Sequence, residues 1–401
     1  MPWLEQSPMD QRMQVIVDYQ RGLHGVSELA ARYGVSRKTV YKWIDRHDAD
    51  ATAGLADRSR RPLSCSQATP PAVVEAVLAA RRRHPRWGAK KLLKILRRAE
   101  PETAWPARST ICDLLRRHGL IVPARRRPRR RQSGGALAPM TAPNAIWTVD
   151  FKGQFKTGDG VYCYPLTLVD GYSRFLLACQ GLRSTASSPA QAIFWRAFAE
   201  YGLPTIIRSD NGVPFATTAL GRLSRLAVWW IRLGIYPERI APAHPEQNGR
   251  HERLHRTLKA ETTRPPARNL QAQQTRFNRF RLEYNADRPH EGLAQETPGS
   301  IYQPSPRPLP RTLPTVTYPA HYEVRRVASN SGIRWKGAWV AVTDTLAGED
   351  IGFEEVDDGW WDVYFGPVRL GRLDERTRRI ADAAPSITHD GGTDRLTADA
   401  V

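Results

Sequence analysis

The sequence is poor in cysteine and has no long apolar run. Its four cysteines, in 401 residues, form no Cys-x-x-Cys pair and no Cys/His cluster with zinc-ligand spacing. No apolar run approaches the roughly 18–20 residues that span a bilayer, and the stretch LAVWWIRLGIY is interrupted by Arg232. The beginning, MPWLEQSPMDQRMQ, lacks the basic and apolar regions of a secretory signal. We therefore expect a soluble intracellular protein with buried cysteines and no membrane partner.

Acidic residues are outnumbered by basic ones. The 40 Asp and Glu residues against 60 Lys and Arg residues give a formal net charge of +20. A charge of this size suits a polyanion better than a neutral small molecule, so nucleic acid is the first partner to consider. Ribosome-associated and membrane-surface proteins share this charge, which leaves the decision to the motifs. The length has room for two to four domains.

Residues 10–48 carry apolar residues at helical spacing and predict three short helices. VSELAARYGVSRKTVYKWIDRH follows a helix-turn-helix pattern, in which Gly34 permits the turn and Ser36 caps the next helix. The side chains expected to pack that helix are Val35, Val40, Trp43 and Ile44. The residues expected to face a DNA major groove are Arg37, Lys38, Thr39 and Lys42. An ordinary helical hairpin with a solvated basic face is the alternative.

Two basic linkers flank a second helical region. GLADRSRRPLS, with Arg58, Arg60 and Arg61, is either a plain linker or an arm along DNA phosphates. Residues 70–122 predict a second helix-turn-helix or winged-helix-like unit, although a basic helical bundle would have the same pattern. RRRPRRRQSGG, with Arg127 and Arg129, repels itself until phosphates neutralise it, so we expect a linker that touches DNA.

From Asn144 onward, strands alternate with helices and predict a mixed sheet covered on both faces. Asp150 lies within an apolar strand, where a buried charge is costly without a cation or a partner. Asp210 ends another apolar strand before the turn Asn211-Gly212, at the edge where open α/β sheets bind ligands. We expect the two aspartates on adjacent central strands.

A third carboxylate follows in PEQNGRHERLHRTLK, which opens a helix. Three carboxylates suit phosphodiester chemistry, since two Mg²⁺ ions held by carboxylate oxygens can activate a nucleophile and neutralise the leaving group. In this order WTVD, SDNG and PEQNGRHE resemble the DDE transposases of bacterial insertion sequences, with a catalytic core like that of retroviral integrases. RPHEGLAQETPGSIY, residues 288–302, is similar to the segment that ends the core in that family.

The resemblance implies a ribonuclease H-like core in which Asp150, Asp210 and Glu252 are catalytic and bind two Mg²⁺ or Mn²⁺ ions. Glu252, three residues after the helix-opening Gly249, takes the third position. The interval of 252 − 210 = 42 leaves 41 intervening residues, somewhat more than is common in the family. Lys259, two turns further on, is expected to hold substrate DNA. The implied reaction cleaves the ends of a mobile element and transfers the 3′-OH ends into target DNA, without a covalent protein intermediate.

Other polar residues near these motifs have simpler interpretations. Asp170, in LVDGYSR, fits a hairpin turn and is left out of the metal site. Glu252 itself could be a helix-surface acid paired with Arg256, a contact of about 0.2–0.5 kcal/mol. His251 and His255 are expected on the helix surface, with DNA contact or a role as ligands as the alternatives. Asn211 and Asn248 are expected at the rim of the site.

The predicted fold class is multidomain α+β. Its predicted parts are a helix-turn-helix domain (1–53), a basic linker (54–69), a second helix-turn-helix or winged-helix-like domain (70–122), an Arg-rich linker (123–142), the ribonuclease H-like core (143–302), a Pro-rich linker (303–314), a small β-barrel (315–380) and a disordered tail (381–401). The expected partners are double-stranded DNA, as element ends and as target, and copies of the same chain in a dimer or tetramer. The expected location is the nucleoid in a bacterial cytoplasm. A DNA-binding regulator without chemistry and a metal-dependent nuclease are the alternatives.

Overall fold

The computed structural model describes residues 7–59, 68–121, 137–241 and 244–382. The chain forms two compact units, Met1–Pro70 and Pro71–Val401. Four of the predicted DNA-contacting residues, Arg60, Arg61, Arg127 and Arg129, lie outside the described residues, as do residues 383–401 of the predicted tail. Among the residues described, no helix is long and apolar enough to cross a membrane.

The first unit contains the three predicted helices, α1 (Pro8–Gln20), α2 (Val26–Arg32) and α3 (Arg37–Gly54). Gly34 has φ +63°, a left-handed conformation that glycine adopts without strain, and it lies in the turn before α3. The Ser36 hydroxyl accepts a hydrogen bond from the Thr39 backbone N–H at 3.2 Å, which confirms the predicted cap. Val35 was predicted to pack α3, and this is wrong: it is 39% exposed. The turn directs its side chain to solvent, while Val40 and Trp43 are buried.

The second unit begins with three further helices, α4 (Pro71–Arg83), α5 (Ala89–Ala99) and α6 (Arg108–Arg117). They bury a small apolar cluster of their own, which includes Trp87, Leu92 and Ile111. Helix α6 begins at Arg108, after Ala107, and no side chain caps it.

A mixed sheet forms the centre of the second unit. Its strands are β1 (Ile146–Phe151), β2 (Phe155–Lys156), β3 (Tyr162–Asp170), β4 (Leu176–Leu182), β5 (Ile206–Ser209) and β6 (Tyr236–Arg239). The strand order is β2-β3-β1-β5-β6, with β4 also paired to β3. Strands β1, β3 and β4 run antiparallel, whereas β5 and β6 are parallel to β1 and to each other.

Helices cover both faces of this sheet, as predicted. On one face, α7 (Ser187–Tyr201) and α8 (Arg225–Arg232) bury Phe194, Phe198 and Trp230 against Trp147 and Val149 of β1. On the other face, α9 (Gly249–Thr262) and α10 (Leu270–Ala286) form a second apolar cluster that includes Leu258 and Phe277. Asp150 alternates with Val149 along β1, so its side chain belongs to the face covered by α9 and α10. A short helix, α11 (Pro298–Ile301), follows.

The Pro-rich segment 303–314 is held against the core. The Ser305 N–H donates to the Tyr201 carbonyl at 2.8 Å, and the Leu203 N–H donates to the Arg307 carbonyl at 2.7 Å. The Arg307 guanidinium donates to the carbonyls of Pro204 and Gly234, both at 2.9 Å. This segment is extended, as expected, but it is anchored at several points.

The C-terminal region contains seven short strands, as its β-like sequence predicts. They are β7 (Glu323–Arg326), β8 (Gly332–Trp335), β9 (Ala338–Ala341), β10 (Asp350–Asp357), β11 (Trp360–Phe365), β12 (Val368–Asp374) and β13 (Arg379–Asp382). Five of them form an antiparallel sheet in the order β13-β12-β11-β10-β7, and β8 and β9 form a separate hairpin.

The predicted small β-barrel over residues 315–380 is wrong. In the described part of the chain no backbone pairing joins β13 to β7, so the sheet is open. Its apolar face is covered in another way. The ring centroid of Trp335 in the hairpin lies 4.6 Å from that of Phe353, in a tilted arrangement, and 4.9 Å from that of Trp361, edge to face. These residues share one apolar cluster with α8 of the core. Because the hairpin and the core already bury this face, closure into a barrel is not needed.

Candidate active site

The register of two parallel strands brings Asp150 and Asp210 together. Ile146 pairs with Ile206 and Thr148 with Arg208, so the same offset places residue 150 opposite residue 210, just beyond the end of β5. Both aspartates are half-buried. The Gly212 N–H donates to Asp210 Oδ1 at 3.1 Å, and Asn211 Nδ2 donates to the Ile240 carbonyl at 2.8 Å. The predicted turn therefore fixes the orientation of the Asp210 carboxylate.

Glu252 lies exposed in the first turn of α9 and contributes to the electrostatic field at Asp150. Burial, then the charge of Asp210 and more weakly that of Glu252, raise the pKa of Asp150 to about 7. Desolvation and nearby like charges both disfavour an ionised carboxyl group. The charges of Asp210 and Glu252 thus make ionisation of the half-buried Asp150 less favourable.

Asn248 contacts the site directly. It lies immediately before α9, and its Nδ2 donates to Asp150 Oδ2 at 3.1 Å. The sequence had placed Asn248 and Asn211 at the rim. Asn248 holds the orientation of the Asp150 carboxylate, whereas Asn211 is bonded to backbone.

The two histidines of α9 were expected on the helix surface, and this is wrong. His251 is 2% exposed and His255 is 7% exposed. Their Nε2 atoms lie 2.8 Å and 2.7 Å from the hydroxyl oxygen of Thr167, and His251 Nδ1 lies 3.0 Å from that of Thr148. Burial lowers the pKa of His251 to about 3 and that of His255 to about 2, so both rings are neutral near pH 7.

These histidines connect α9 to the strand that carries Asp150. Thr167 pairs with Asp150 across β3 and β1, and its hydroxyl also donates to the Asp150 carbonyl at 3.2 Å. His255 Nδ1 lies 3.7 Å from Asp150 Oδ2. Sequence reasoning missed Thr167. The sequence feature that could have indicated a shared buried partner is the four-residue spacing of His251 and His255, which places both rings on one helix face.

Two lysines lie beside the acids. Burial, then the charge of Lys259, lower the pKa of Lys152, while Asp150 opposes that change. Lys259 was predicted to hold DNA and is exposed. Lys152 was missed, although it follows Asp150 by two residues and so projects from the same side of the strand. Their proximity provides positive charge next to the carboxylates.

The donor set has the chemistry of a Mg²⁺ or Mn²⁺ site, since hard divalent cations prefer carboxylate oxygens. A bound cation would relieve the repulsion that raises the pKa of Asp150. In the described ranges, no group of three or more His, Cys, Asp or Glu side chains stands in a metal-binding arrangement. Glu252 is the exposed one of the three acids. Its side chain must turn toward the two aspartates for all three carboxylates to bind the same metal ions.

The remaining predicted residues lie as follows. Arg37, Lys38 and Lys42 are exposed on the α3 side of the helix-turn-helix, whereas Thr39 is half-buried and bonds the Ser36 hydroxyl at 2.9 Å. Arg58 is exposed, with a nitrogen 3.5 Å from Asp50. Their DNA contacts stay predictions.

Asp170 occupies the hairpin between β3 and β4, as its sequence predicts. It is fully buried, and its carboxylate accepts from the backbone N–H groups of Asn144 and Ser173, both at 2.7 Å. These bonds give Asp170 a structural role in the turn, outside the group of Asp150 and Asp210.

Family comparisons match five parts of the chain in order. The matches are a helix-turn-helix domain (11–62), a homeodomain-like domain (39–115), two integrase core domain profiles (140–245 and 233–298) and the C-terminal domain of IS481 family transposases (322–381). The integrase core profiles thus cover the mixed sheet and its three acids, and the helix-turn-helix and homeodomain-like profiles precede them. The matches confirm the resemblance to DDE transposases of bacterial insertion sequences, and the C-terminal match narrows it to the IS481 family.

Viral polyproteins are similar over the core. The Gag-Pol polyprotein of Baboon endogenous virus (strain M7) is 29% identical over 154 residues, which are 38% of this chain and 8% of that protein. The Pol polyprotein of Feline endogenous virus ECE1 is 32% identical over 122 residues, which are 30% of this chain and 11% of that protein. The chain therefore spans only about a tenth of the length of these curated relatives.

Two solved structures are similar at low TM-scores. A simian T-cell lymphotropic virus intasome, in complex with PP2A regulatory subunit B56 gamma, has a TM-score of 0.36 and 16% identity, covering 78% of this chain and 100% of that one. The HTLV-2 integrase catalytic core domain in complex with magnesium has a TM-score of 0.33 and 18% identity, covering 41% of this chain and 99% of that one.

Proposed function

We propose that this protein is a DNA transposase that cleaves the ends of a mobile element and transfers their 3′-OH groups into target DNA. The observation that carries the proposal is the meeting of Asp150 and Asp210 on neighbouring strands, with Glu252 within electrostatic range on α9. The order of the integrase core and the IS481 C-terminal match along one chain supports it.

In this proposal Asp150, Asp210 and Glu252 hold two Mg²⁺ or Mn²⁺ ions, which would activate the attacking oxygen and neutralise the leaving one. Asn248 and Thr167 orient Asp150 through its carboxylate and its carbonyl. Lys152 and Lys259 supply positive charge for a DNA phosphate next to the acids. Because α9 is bonded through its histidines to β3 and β1, the helix that carries Glu252 is held against the strand that carries Asp150.

The reaction has two phosphoryl-transfer steps. In the first, water attacks a phosphodiester at the element end, one P–O bond forms, another breaks, and a 3′-OH is released. In the second, this 3′-OH attacks a target phosphodiester in line, and the target strand's 3′ oxygen leaves. No protein side chain is required as a nucleophile, which agrees with a site built from carboxylates.

The DNA contacts, the assembly and the location are part of the same proposal. The exposed basic residues of α3, with Arg58 and the Arg-rich linker, bind element ends as double-stranded DNA. Two ends must meet, so we expect a dimer or tetramer on DNA, in the nucleoid of a bacterial cytoplasm. The predicted domain boundaries are likewise proposed, with the barrel replaced by an open sheet that extends to Asp382. If sedimentation shows that the protein is a monomer both alone and with element-end DNA, the proposed assembly is contradicted.

The test is strand transfer with a pre-cleaved DNA end taken from the sequence that flanks this gene, in Mg²⁺ or Mn²⁺. Asp150→Asn, Asp210→Asn and Glu252→Gln are each expected to abolish joining while end binding persists. Glu200→Gln, which changes an exposed acid of α7, is the matched control and should join normally. If the unmodified protein binds element ends but does not join them, a DNA-binding regulator without catalytic activity is favoured. If it cuts DNA but does not join it, a metal-dependent nuclease is favoured.

A further inference from the structure

A cavity of about 550 Å³ lies within the second unit, between α5 and the core. Its walls come from α5, α9, the hairpin after β3 and the segment that follows α10. Five basic side chains line it: Lys91, Arg174, Arg250, Arg253 and Arg288. Thr148 and His251, which help to hold α9 against β1, also line it, whereas the five basic side chains have none of the functional roles described above.

The cavity is separate from the three acids. The α9 residues that line it are Arg250, His251, Arg253, Leu254 and Thr257. At 3.6 residues per turn, Glu252 and Lys259 lie roughly 170° around the helix from the centre of that side. The helix therefore has one flank toward the candidate metal site and another toward the basic cavity.

Acidic groups do not neutralise the cavity. Asp170 reaches it, but its carboxylate accepts from Asn144 and Ser173. Glu291 is 2.6 Å from Lys90, which is not among the five basic residues, and Arg288 is 2.8 Å from Glu261. Even if Asp170, Glu291 and Glu261 each cancel one of the five positive charges, a net positive charge remains.

Two polar atoms at the cavity have no partner. Within the described part of the chain, His290 Nε2 and Arg174 Nε are buried and make no hydrogen bond. His290 is only 8% exposed and lines the cavity. Burial, then the charge of Arg288, lower the pKa of Lys91 to about 8. Cations that repel one another in the wall of one cavity favour a bound anion, which would offset their charges.

We infer that this cavity is a phosphate-binding site, distinct from the carboxylate site, that takes a phosphate group of DNA or a free oligophosphate. Guanidinium groups present paired donors that match phosphate oxygens, and a buried setting strengthens each of these bonds. The volume is ample for a phosphodiester or a pyrophosphate. The DNA source rests on the proposed function, whereas the oligophosphate source does not.

The test uses the full chain in EDTA, so that no metal contributes. Isothermal titration with sodium pyrophosphate compares the unmodified protein with Arg174→Gln/Arg253→Gln. The matched control is Arg196→Gln/Arg279→Gln, which removes two exposed positive charges from α7 and α10 and so changes the net charge equally. The cavity variant should bind pyrophosphate at least tenfold more weakly than the control. If its unfolding temperature falls, Lys91→Gln alone replaces it and should weaken binding severalfold.

A second arm measures binding of a 30-bp DNA duplex over a range of salt concentrations. Loss of one phosphate contact should lower the slope of log K against log[salt] by about 0.9 relative to the control. A lower slope in the cavity variant identifies DNA phosphate as the ligand, and weaker pyrophosphate binding alone identifies a free oligophosphate. Equal behaviour of cavity and control variants in both arms overturns the inference. Cavity-dependent pyrophosphate binding by a protein that never joins DNA would refute the transposase proposal and leave this site standing.

Discussion

Asp150→Asn is expected to stabilise the metal-free protein at alkaline pH while it abolishes DNA joining. The pKa of Asp150 rises from 3.8 to about 7 on folding, chiefly by burial and then by the charge of Asp210. The folded protein therefore binds more protons than the unfolded chain between about pH 4 and pH 7. The contribution of the Asp150 carboxyl group to the free energy of unfolding is fully present below about pH 4 and is lost as the pH rises through about 7. At about 1.4 kcal/mol per pKa unit, the charged Asp150 costs the folded state up to about 4 kcal/mol at pH 8.

An asparagine at position 150 carries no charge, so this cost should disappear. Unfolding in urea, in EDTA, is measured at several values from pH 5 to pH 8. The variant's advantage over the unmodified protein should grow across that range to between about 2 and about 4 kcal/mol, because altered hydrogen bonding offsets part of the gain. Asp358→Asn, at an exposed turn, is the control and should show no such trend. An Asp150→Asn variant that is less stable than the unmodified protein at pH 8 would refute the reasoning.

Three further outcomes follow from buried or capping contacts. Arg208 and Glu238 form an ion pair in which both side chains are 6% exposed. Arg208→Met should therefore lower the free energy of unfolding, measured in urea, by about 3–5 kcal/mol, and Arg208→Met/Glu238→Met should lower it by less. A double variant as unstable as the single one would contradict loss of the charge balance of this pair as the cause. Thr167→Val removes the hydroxyl group that both buried histidines of α9 contact. It should lower the free energy of unfolding by about 1–3 kcal/mol and slow DNA joining. Unchanged stability and joining would exclude that role. Ser36→Ala should cost the first unit about 1 kcal/mol, seen as faster amide hydrogen exchange in α3, and unchanged exchange would contradict the capping role.

The sequence predicted the positions of the two aspartates because local patterns determine them. An apolar strand places Asp150 among buried neighbours, and an Asn-Gly turn after a second apolar strand places Asp210 at its carboxyl end. The parallel pairing of β1 with β5 then brings both to the same level of the sheet. The capped start of α3 was predicted for the same reason, since Ser36 acts within three residues of itself.

Features that depend on distant parts of the chain could not be predicted in this way. His251 and His255 occur among charged residues, a pattern typical of a solvated helix, and only Thr167 on another element makes their burial favourable. The C-terminal strands have the short, alternating pattern of a barrel. What leaves their sheet open is the cover provided by Trp335 and by the core, which lie outside that sheet.

The continuous apolar cluster that joins α8 to the C-terminal sheet also limits how this chain can be divided. Arg232 of α8 donates to the carbonyls of Leu313 and Pro314 and lies 3.3 Å from Glu349, and the Gly221 N–H donates to Asp382 at 2.9 Å. A chain cut at residue 302 would leave part of that cluster uncovered. We therefore expect the core and the C-terminal sheet to unfold together, in one cooperative transition.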